Sequence, residues 1–315
     1  MGDELDLVIV GGGPAGMTSG LYAARSRLKT KLLEKLSPGG QILTTDWVDN
    51  YPGFPEGLSG FELVDRMRQQ AERFGLQIVS GEVTSLERDG QMIVVNTDDG
   101  RLTCRALIIA SGAMPIKLGI TGEREMTGKG VSYCATCDGP FYRGAEVGVV
   151  GGGDTAVEEA IYLTRFASKV HLFHRRDELR AVKLIQEKVF AEPAVEIHWS
   201  TVLDEILPDD KGMVRGARWK NVKTGELGEM ALEGVFMFVG QTPVTEYARG
   251  FVEMDDVGFI RTNVEMLTNQ EGVFAAGDVR CKKLRQIVTA VGDGATAAFA
   301  AEKYIDEKFG GPIGA

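Results

Sequence analysis

The chain has 315 residues, of which 43% are hydrophobic and 25% are charged, a balance typical of globular proteins with room for about two domains. Its formal net charge of −10 opposes nonspecific binding to nucleic acid or anionic membranes, because the summed field repels phosphate. No apolar run approaches the roughly 20 residues of a membrane-spanning helix, and the acidic start does not resemble a signal peptide. We therefore expect a cytoplasmic protein without nucleic-acid or membrane partners.

The first informative pattern is a glycine-rich loop between an apolar strand and a helix. Residues 7–10 are apolar, residues 11–16 read Gly-Gly-Gly-Pro-Ala-Gly, and residues 17–25 favour a helix. In such a dinucleotide fingerprint, glycine lets backbone N–H groups approach a pyrophosphate at the positive end of a helix. Glu34 follows the next apolar run, where a carboxylate accepts hydrogen bonds from ribose hydroxyls and repels a 2′-phosphate.

The next pattern is a Cys-x-x-Cys pair, Cys134 and Cys137. Such a pair closes a small ring, has easily depressed thiol pKa values, and exchanges with the disulfide of another protein. A structural zinc site usually needs a second pair, and the two other cysteines, Cys104 and Cys281, lie far apart in sequence. We interpret the pair as a redox centre and the other two as buried or idle thiols, and we predict no metal site.

A second fingerprint follows the cysteines, at residues 151–156. Glu34 lies 23 positions after the first glycine of its fingerprint, and His174 lies 23 positions after Gly151, followed by Arg175 and Arg176. Guanidinium groups form charge-assisted bonds to phosphate, so this site is predicted to select the 2′-phosphate of NADPH. The first site is predicted to bind FAD or NAD.

Short strand-like pieces with turn signals between them follow each fingerprint unit, and a hydrophobic strand ending at glycine and proline closes each half. The pieces are residues 77–79, 82–87 and 92–96, then 195–199, 200–206 and 214–221, and the closing strands are 106–115 and 234–243. We predict an α/β fold of two nested Rossmann-like nucleotide-binding domains (three-layer ββα), each with an inserted short β-meander. His171 and His198 are interpreted as ordinary strand residues.

The second copy is predicted to be inserted within the first. Residues 273–278 form an apolar strand that delivers Asp278 to its carboxyl end, where open α/β sheets bind ligands, and residues 286–299 favour a helix. These residues would return the chain to its first domain, with a double hinge near Ala113 and Gln241. The predicted domains are 1–113 with 241–315 for FAD, and 114–240 for NADPH and the Cys-x-x-Cys pair.

At this point the chain resembles the low-molecular-weight, NADPH-dependent thioredoxin reductases of bacteria, over nearly its whole length. The motifs that carry the likeness are residues 11–16, 39–41, 50–53, 134–139, 151–156, 174–176 with Arg180, and 277–278 with 285–286. The resemblance implies bound FAD and NADPH, a homodimer, thioredoxin as the protein substrate, and rotation of the inserted domain.

Carried over by position, the resemblance also implies the binding residues. For FAD they are Gly11, Gly13, Pro14, Ala15, Gly16, Glu34, Gly39, Gly40, Gln41, Asn50, Gly277, Asp278, Arg285, Gln286 and Ile287. For NADPH they are Gly151, Gly153, Asp154, Thr155, His174, Arg175, Arg176 and Arg180.

The same resemblance implies the catalytic roles. Cys137 would face the flavin, Cys134 would attack the partner's disulfide, and Asp138 would be the nearby acid and base. An unassisted carboxyl has a pKa near 4, so this role requires the pKa of Asp138 to be raised by burial or by neighbouring negative charge. A hydride would pass from the nicotinamide to the flavin, and an electron pair from the flavin to the disulfide.

The chain departs from the best-known members of the family near the cysteines. Pro140 precedes Phe141 where some relatives have two aromatic residues that grip thioredoxin, and Lys129 stands where arginine is frequent. Alternatives are an FAD-dependent dithiol oxidase, a related disulfide reductase with another partner, the flavoprotein of a peroxide-reducing system, and a non-catalytic redox sensor. The arginine cluster argues against the oxidase, which needs no pyridine nucleotide.

Overall fold

The computed structural model describes residues 4–45 and 47–314, and the elements named here lie within those ranges. The strands are β1 (Glu4–Val10), β2 (Thr30–Glu34), β3 (Gln77–Ser80), β4 (Val83–Asp89), β5 (Met92–Thr97), β6 (Gly100–Ile109), β7 (Ala113–Pro115), β8 (Val131–Ser132), β9 (Glu146–Gly151), β10 (Lys169–His174), β11 (Val195–Trp199), β12 (Thr201–Pro208), β13 (Val214–Asn221), β14 (Leu227–Ala231), β15 (Gly234–Phe238), β16 (Gln241–Pro243) and β17 (Val273–Ala275). The helices are α1 (Pro14–Arg25), α2 (Gly60–Arg73), α3 (Ala135–Asp138), α4 (Asp154–Leu163), α5 (Lys183–Phe190) and α6 (Ile287–Phe309).

The chain divides into two compact units. Pro115–Gln241 forms the second unit, and the described residues up to Met114 and from Thr242 form the first. The chain therefore leaves the first unit and returns to it. The two crossings lie in β7 and β16, which pair with each other.

The first unit is built on one sheet with the order β3-β2-β1-β6-β5-β4, and β17 pairs with β6. Strands β3, β2, β1, β6 and β17 are parallel, whereas β4 and β5 continue from β6 as antiparallel strands. Alternate residues of the buried strands face two separate apolar clusters, as the twofold period of a strand requires. Helices α1 and α6 pack on one face, where Ser19 Oγ donates to Gly294 O at 3.0 Å.

The second unit repeats the plan with a separate meander. Its parallel sheet has the order β11-β10-β9-β15-β8, and β12-β13-β14 form an antiparallel sheet of their own. Leu172 and Phe236 face the cluster that contains α4 and α5, whereas Phe173 and Val235 face the cluster that contains β12 and β13. Each unit is thus a three-layer arrangement, and the predicted α/β class with two Rossmann-like folds is confirmed.

The structure corrects the predicted meanders in detail. The first predicted piece of each run is not part of a meander, because β3 and β11 are parallel edge strands of the two main sheets. Strand β14 was not predicted from the sequence, since its side chains alternate between exposed and half-buried without a hydrophobic face. Strand β6 begins at Gly100, before the predicted start at residue 106.

Helices α1, α4 and α6 overlap the predicted ones, whereas α2 and α5 were not predicted. Helix α2 has a side-chain N-cap, because Ser59 Oγ accepts from Glu62 N–H at 3.1 Å. Helix α6 continues past the predicted end and stops at Gly310, whose φ of 76° suits glycine. Of the helices in residues 4–45 and 47–314, none has both the length and the apolar character needed to cross a bilayer.

Candidate functional site

The first fingerprint loop follows β1, and two of its glycines admit no side chain. A Cβ atom at Gly11, where φ is 105°, would lie 2.5 Å from Ala110 O, and one at Gly16 would lie 1.8 Å from Gly11 O. At Gly13, the N-cap of α1, a Cβ atom would have no neighbour within 4 Å among the described residues. The start of α1, with Pro14 in its first turn, is therefore open to a ligand and carries no acidic residue there.

Glu34 lies under this loop at the end of β2. Its Oε2 accepts from Gly12 N–H at 2.7 Å, and its Oε1 accepts from Leu36 N–H at 2.8 Å. A carboxylate oxygen has two lone pairs, so each oxygen keeps capacity for a second donor such as a ribose hydroxyl. The half-buried Glu34 thus both fixes the loop and offers negative charge beside it.

Some of the predicted flavin-side residues lie beside the same loop, and others lie together at the start of α6. Gly39 N–H donates to Gly12 O at 2.8 Å, and Gly40 follows in a short 3₁₀ turn that includes Gln41. Asn50 Nδ2 donates to Gln286 Oε1 at 3.1 Å, so these two residues lie together at the start of α6.

Asp278 lies in a 3₁₀ turn directly after β17, where it was expected. Its Oδ1 is buried without a hydrogen-bond partner within the described residues, and Lys282 Nζ is 4.0 Å away. Burial raises the pKa of Asp278, and the positive charges of Lys282 and Arg285 oppose that effect. A buried acceptor without a partner is costly, so this oxygen fits a ligand that brings hydroxyl or N–H donors.

Arg285 and Ile287 both contact other residues of the first unit. Arg285 Nε donates to Asp278 O at 3.2 Å, and its guanidinium lies 4.1 Å from the ring centroid of Phe259. Burial lowers the pKa of Arg285. Ile287 packs against the small apolar cluster that includes Ile42, which joins α6 to the segment after Gly40.

Asp293 is a residue of this region that sequence reasoning missed. Its Oδ2 accepts from Gly277 N–H at 3.1 Å and from Lys282 Nζ at 2.8 Å, and Arg280 Nη1 is 2.9 Å away. It therefore fixes the turn that carries Asp278. The signal available in the sequence was a single acid within residues 287–301, the part of α6 that is rich in alanine and glycine.

The second fingerprint loop follows β9 in the second unit. A Cβ atom at Gly151 would lie 2.4 Å from Ala156 Cβ, so the loop and α4 pack closely. Gly153 is the N-cap of α4, and Thr155 is exposed in the first turn. Asp154 Oδ1 accepts from Val182 N–H at 2.7 Å, which ties this turn to a later segment.

His174 and the arginines have different positions around this loop. His174 is buried at the end of β10, and a Cβ atom at Gly152 would lie 2.2 Å from its ring. Arg175 and Arg176 follow immediately and are exposed. Arg180 N–H donates to Gly152 O at 2.7 Å, which brings this third exposed arginine to the same loop.

His174 supports the loop from inside the unit, whereas the three arginines are exposed to solvent. Burial lowers the pKa of His174, and its Nε2 is 3.0 Å from Glu178 O, so the imidazole supports the loop from below. Within residues 4–45 and 47–314, the guanidinium groups of Arg175, Arg176 and Arg180 form no ion pair with an acidic side chain. Arg180 lies beside the start of α4, since its Nη2 would be 4.0 Å from a Cβ atom at Gly153, and exposed guanidinium groups suit a phosphate.

Cys134 and Cys137 form a disulfide with a Cα–Cα distance of 5.3 Å. Cys134 is the N-cap of α3, where Cys137 N–H donates to Cys134 Sγ at 3.2 Å. Ser132 Oγ accepts from Cys134 N–H at 3.1 Å, and Asp138 N–H donates to Cys134 O at 3.1 Å. An N–H group aimed at sulfur is an arrangement that stabilises a thiolate.

Two further titratable side chains, Tyr142 and Glu159, have raised pKa values in this part of the second unit. Burial, then the charge of Asp138, raises the pKa of Tyr142 to about 12, which keeps that phenol protonated. Glu159 on α4 lines a cavity of about 310 Å³ together with Thr136 and Arg165. Its Oε2 is buried without a hydrogen-bond partner in the described part of the chain, and burial raises its pKa.

Comparisons with known proteins define the class first. The family described as pyridine nucleotide-disulphide oxidoreductase matches residues 5–294, and the chain belongs to this family. It is a flavoprotein disulfide reductase, and Cys134–Cys137 is its redox-active disulfide.

Particular relatives narrow the class. The thioredoxin reductase of Peptoclostridium acidaminophilum is 47% identical over 315 residues, covering 98% of this chain and 99% of the relative. The thioredoxin reductase of Bacillus subtilis (strain 168) is 44% identical over 302 residues, covering 96% and 95%. The crystal structure of thioredoxin reductase from Streptococcus pyogenes MGAS5005 matches with a TM-score of 0.93 and 45% identity, covering 98% of this chain and 100% of that one.

Proposed function

We propose that this chain is a thioredoxin reductase, which carries an electron pair from NADPH, through FAD and the Cys134–Cys137 disulfide, to oxidised thioredoxin. The observation that carries the proposal is the disulfide at the start of α3, in the same unit as a fingerprint followed by Arg175 and Arg176. Relatives named thioredoxin reductase, at 47% and 44% identity over nearly the whole chain, support thioredoxin as the partner.

FAD is the cofactor that we assign to the first unit. The acid at the end of β2, Glu34, suits a ribose diol and opposes a 2′-phosphate. The open start of α1 at Gly13 suits a pyrophosphate, and the unpartnered Oδ1 of Asp278 suits the hydroxyl groups of a ribityl chain. Gln41, Asn50 and the residues after Asp278 would lie along the remaining part of the molecule.

NADPH is the cofactor that we assign to the second unit. Gly151, Gly153 and Thr155 would line its pyrophosphate side, and Arg175, Arg176 and Arg180 would hold the 2′-phosphate. Arg180 supports this assignment because its backbone bond to Gly152 O holds it at the loop. His174 would act through Gly152 rather than by direct contact. Asp154, whose carboxylate binds Val182 N–H, would orient the segment that carries Arg180.

When bound, the two cofactors supply a hydride and pass an electron pair to sulfur. Those two electrons, with the proton of the hydride, would break the Cys134–Cys137 bond and leave one thiolate and one thiol. Cys134 then attacks the disulfide of thioredoxin, forming a mixed disulfide and releasing one partner thiolate. Cys137 attacks Cys134 Sγ, which restores the internal disulfide and releases the second thiolate. The partner gains two electrons and two protons, one proton from the hydride and the other from solvent.

Asp138 would move the protons of this exchange. It follows Cys137 directly at the end of α3, and its charge already acts on the pKa of Tyr142. A homodimer and a cytoplasmic location complete the proposal, both on the basis of the family resemblance.

Anaerobic titration of the holoprotein with NADPH tests this function. We expect flavin absorbance to bleach and two thiols to appear, followed by turnover when oxidised thioredoxin is added. Cys134→Ser and Cys137→Ser should each abolish turnover, because no internal disulfide remains. Cys281→Ser is the matched control, since it removes an exposed thiol outside the pair and should leave turnover intact.

Two results would contradict the proposal. Flavin that stays oxidised with NADPH but bleaches with a dithiol would indicate the oxidase alternative. Bleaching by NADPH without thioredoxin turnover would indicate a disulfide reductase with another protein partner.

A further inference from the structure

A group of metal-ligating side chains lies in the second unit, away from the fingerprint loop. His171 is on β10, and Glu196 and His198 are on the neighbouring strand β11; we call these three the histidine cluster. By strand alternation they share the sheet face of Phe173, whereas α4 and α5 pack on the other face. The fingerprint follows the carboxyl end of β9, but His171 lies in the first half of β10.

The distances within the histidine cluster suit a small cation. His171 Nδ1 and His198 Nε2 are 3.0 Å apart. One oxygen of Glu196 is 4.0 Å from His171 Nδ1, and the other is 3.8 Å from His198 Nε2. Tetrahedral zinc with bonds of about 2.0–2.1 Å to nitrogen separates two ligand atoms by roughly 3.3 Å. Small side-chain movements therefore bring all three donors to one ion.

Two further contacts hold the histidine rings in place. His171 Nε2 is 3.2 Å from Glu146 Oε2 on β9, an arrangement that puts the ring proton on Nε2 and directs the Nδ1 lone pair at His198. In metal sites, a ligating histidine commonly donates its other ring N–H to a carboxylate that does not itself bind the metal. The His198 ring stacks on Phe173 with centroids 4.8 Å apart. His171 itself is only 4% exposed.

Lys169 is the competing group, because its Nζ hydrogen bonds to Glu196 Oε2. The competition is partial, since the other oxygen, Oε1, faces His198. One carboxylate can bind a metal through one oxygen and a lysine through the other. Glu196 is 48% exposed, so its side chain can turn toward the two nitrogens without displacing packed atoms.

We propose that His171, His198 and Glu196 form a binding site for one borderline divalent transition-metal ion, foremost Zn²⁺. Two imidazole nitrogens and one carboxylate are ligands that this ion accepts, and water would take the fourth position. Bound metal would join β10 to β11 and stabilise the second unit. It would not take part in disulfide reduction, since the cluster lies on the sheet face opposite to α4.

Zinc titration of the oxidised holoprotein tests the site. The protein is stripped with a chelator, kept free of NADPH so that Cys134–Cys137 stays bridged, and carries Cys281→Ser to remove the exposed thiol. We expect calorimetry to show one Zn²⁺ per chain. His198→Gln should weaken binding at least tenfold, and Glu146→Gln should weaken it by about 10–100-fold, as loss of an outer partner does. Glu226→Gln, at an exposed position of the same unit, is the matched control.

Thermal unfolding gives a second readout that does not depend on activity. Zn²⁺ should raise the unfolding temperature of the parent but not that of His198→Gln, because only an ion that binds the folded state stabilises it. NADPH-driven disulfide reduction should persist in His198→Gln, which separates this site from the proposed function. Absence of zinc uptake by the stripped parent, or parent-like affinity and stoichiometry in His198→Gln, would overturn the proposal.

Discussion

The two fingerprint loops are supported in the same way, but the side chains at and just after the end of the neighbouring strand carry opposite charge. In the first, Gly12 N–H donates to Glu34 at 2.7 Å, and a Cβ atom at Gly12 would lie 3.1 Å from the same carboxylate. In the second, a Cβ atom at Gly152 would lie 2.2 Å from the ring of His174. The end of the second strand therefore supports the middle glycine of the loop in both units.

The difference between the loops concerns charge rather than shape. Glu34 receives backbone N–H donors on both oxygens and presents negative charge to the ligand. His174 is buried, and the exposed guanidinium groups of Arg175 and Arg176 follow it. In the proposed function, the glycine-rich turn binds a pyrophosphate in either unit, and the residues at and after the end of the second strand select between a ribose diol and a 2′-phosphate.

The largest effect is expected from Gly16→Ala. The second loop already has alanine at the equivalent position, Ala156, but a Cβ atom at Gly16 would lie 1.8 Å from Gly11 O. The first loop must shift to accept it, so we expect a loss of about 1–3 kcal/mol or more in the free energy of unfolding. FAD should be lost on purification, measured as flavin absorbance per chain.

Gly292→Ala is the control for this substitution. Gly292 is in α6, and no side chain in residues 4–45 and 47–314 lies within 4 Å of a Cβ atom there, so alanine should be neutral or stabilise by up to about 1 kcal/mol. Parent-like flavin content and stability in Gly16→Ala would mean that the two loops tolerate the same side chains, and the comparison would fail.

A smaller effect is expected when Arg175 and Arg176 are both replaced by alanine. Loss of charge-assisted bonds to a phosphate should weaken NADPH binding by about 2 kcal/mol or more, roughly 30-fold, while NADH binding changes little. Steady-state KM values for both nucleotides measure the difference. Arg215→Ala, at an exposed arginine paired with Glu229 in the same unit, is the control. Equal losses for both nucleotides would show that the arginines do not select the phosphate.

The sequence predicted the parts of the fold that depend on local patterns. Glycines at fixed spacing between an apolar run and a helix identified both loops, because few other residues permit that turn. Helices α2 and α5 were not predicted although each is amphipathic. Neither contains a motif, and the segments around them carry strand and turn signals. Asp293 escaped because its three partners come from the turn after β17, which only the folded chain brings to α6.

One error in the predicted topology concealed a whole cluster. Residues 195–199 were expected in a meander, but β11 is the parallel edge strand beside β10. The register pairs His171 with Glu196 and Phe173 with His198, which brings together residues that are 27 positions apart. Composition and spacing do not encode which strand takes an edge position, so two histidines that looked ordinary in sequence became neighbours only in the sheet.

The smallest effect concerns the helices that follow the two loops. The first turn of α1 has no acid, whereas α4 begins at Asp154 and includes Glu159, whose pKa is raised by burial. An acid whose folded-state pKa is raised contributes most to stability while it is protonated, and that contribution is lost as pH rises through the folded pKa. Glu159→Gln should therefore match the parent in thermal stability at acidic pH and exceed it once the pH is above the folded-state pKa of Glu159.

Thermal unfolding of both proteins across this pH range measures the difference. Glu187→Gln, an exposed position on α5, is the control and should show no such trend. A Glu159→Gln variant that is less stable than the parent at high pH would mean that the ionised carboxylate has a stabilising partner when the protein is folded.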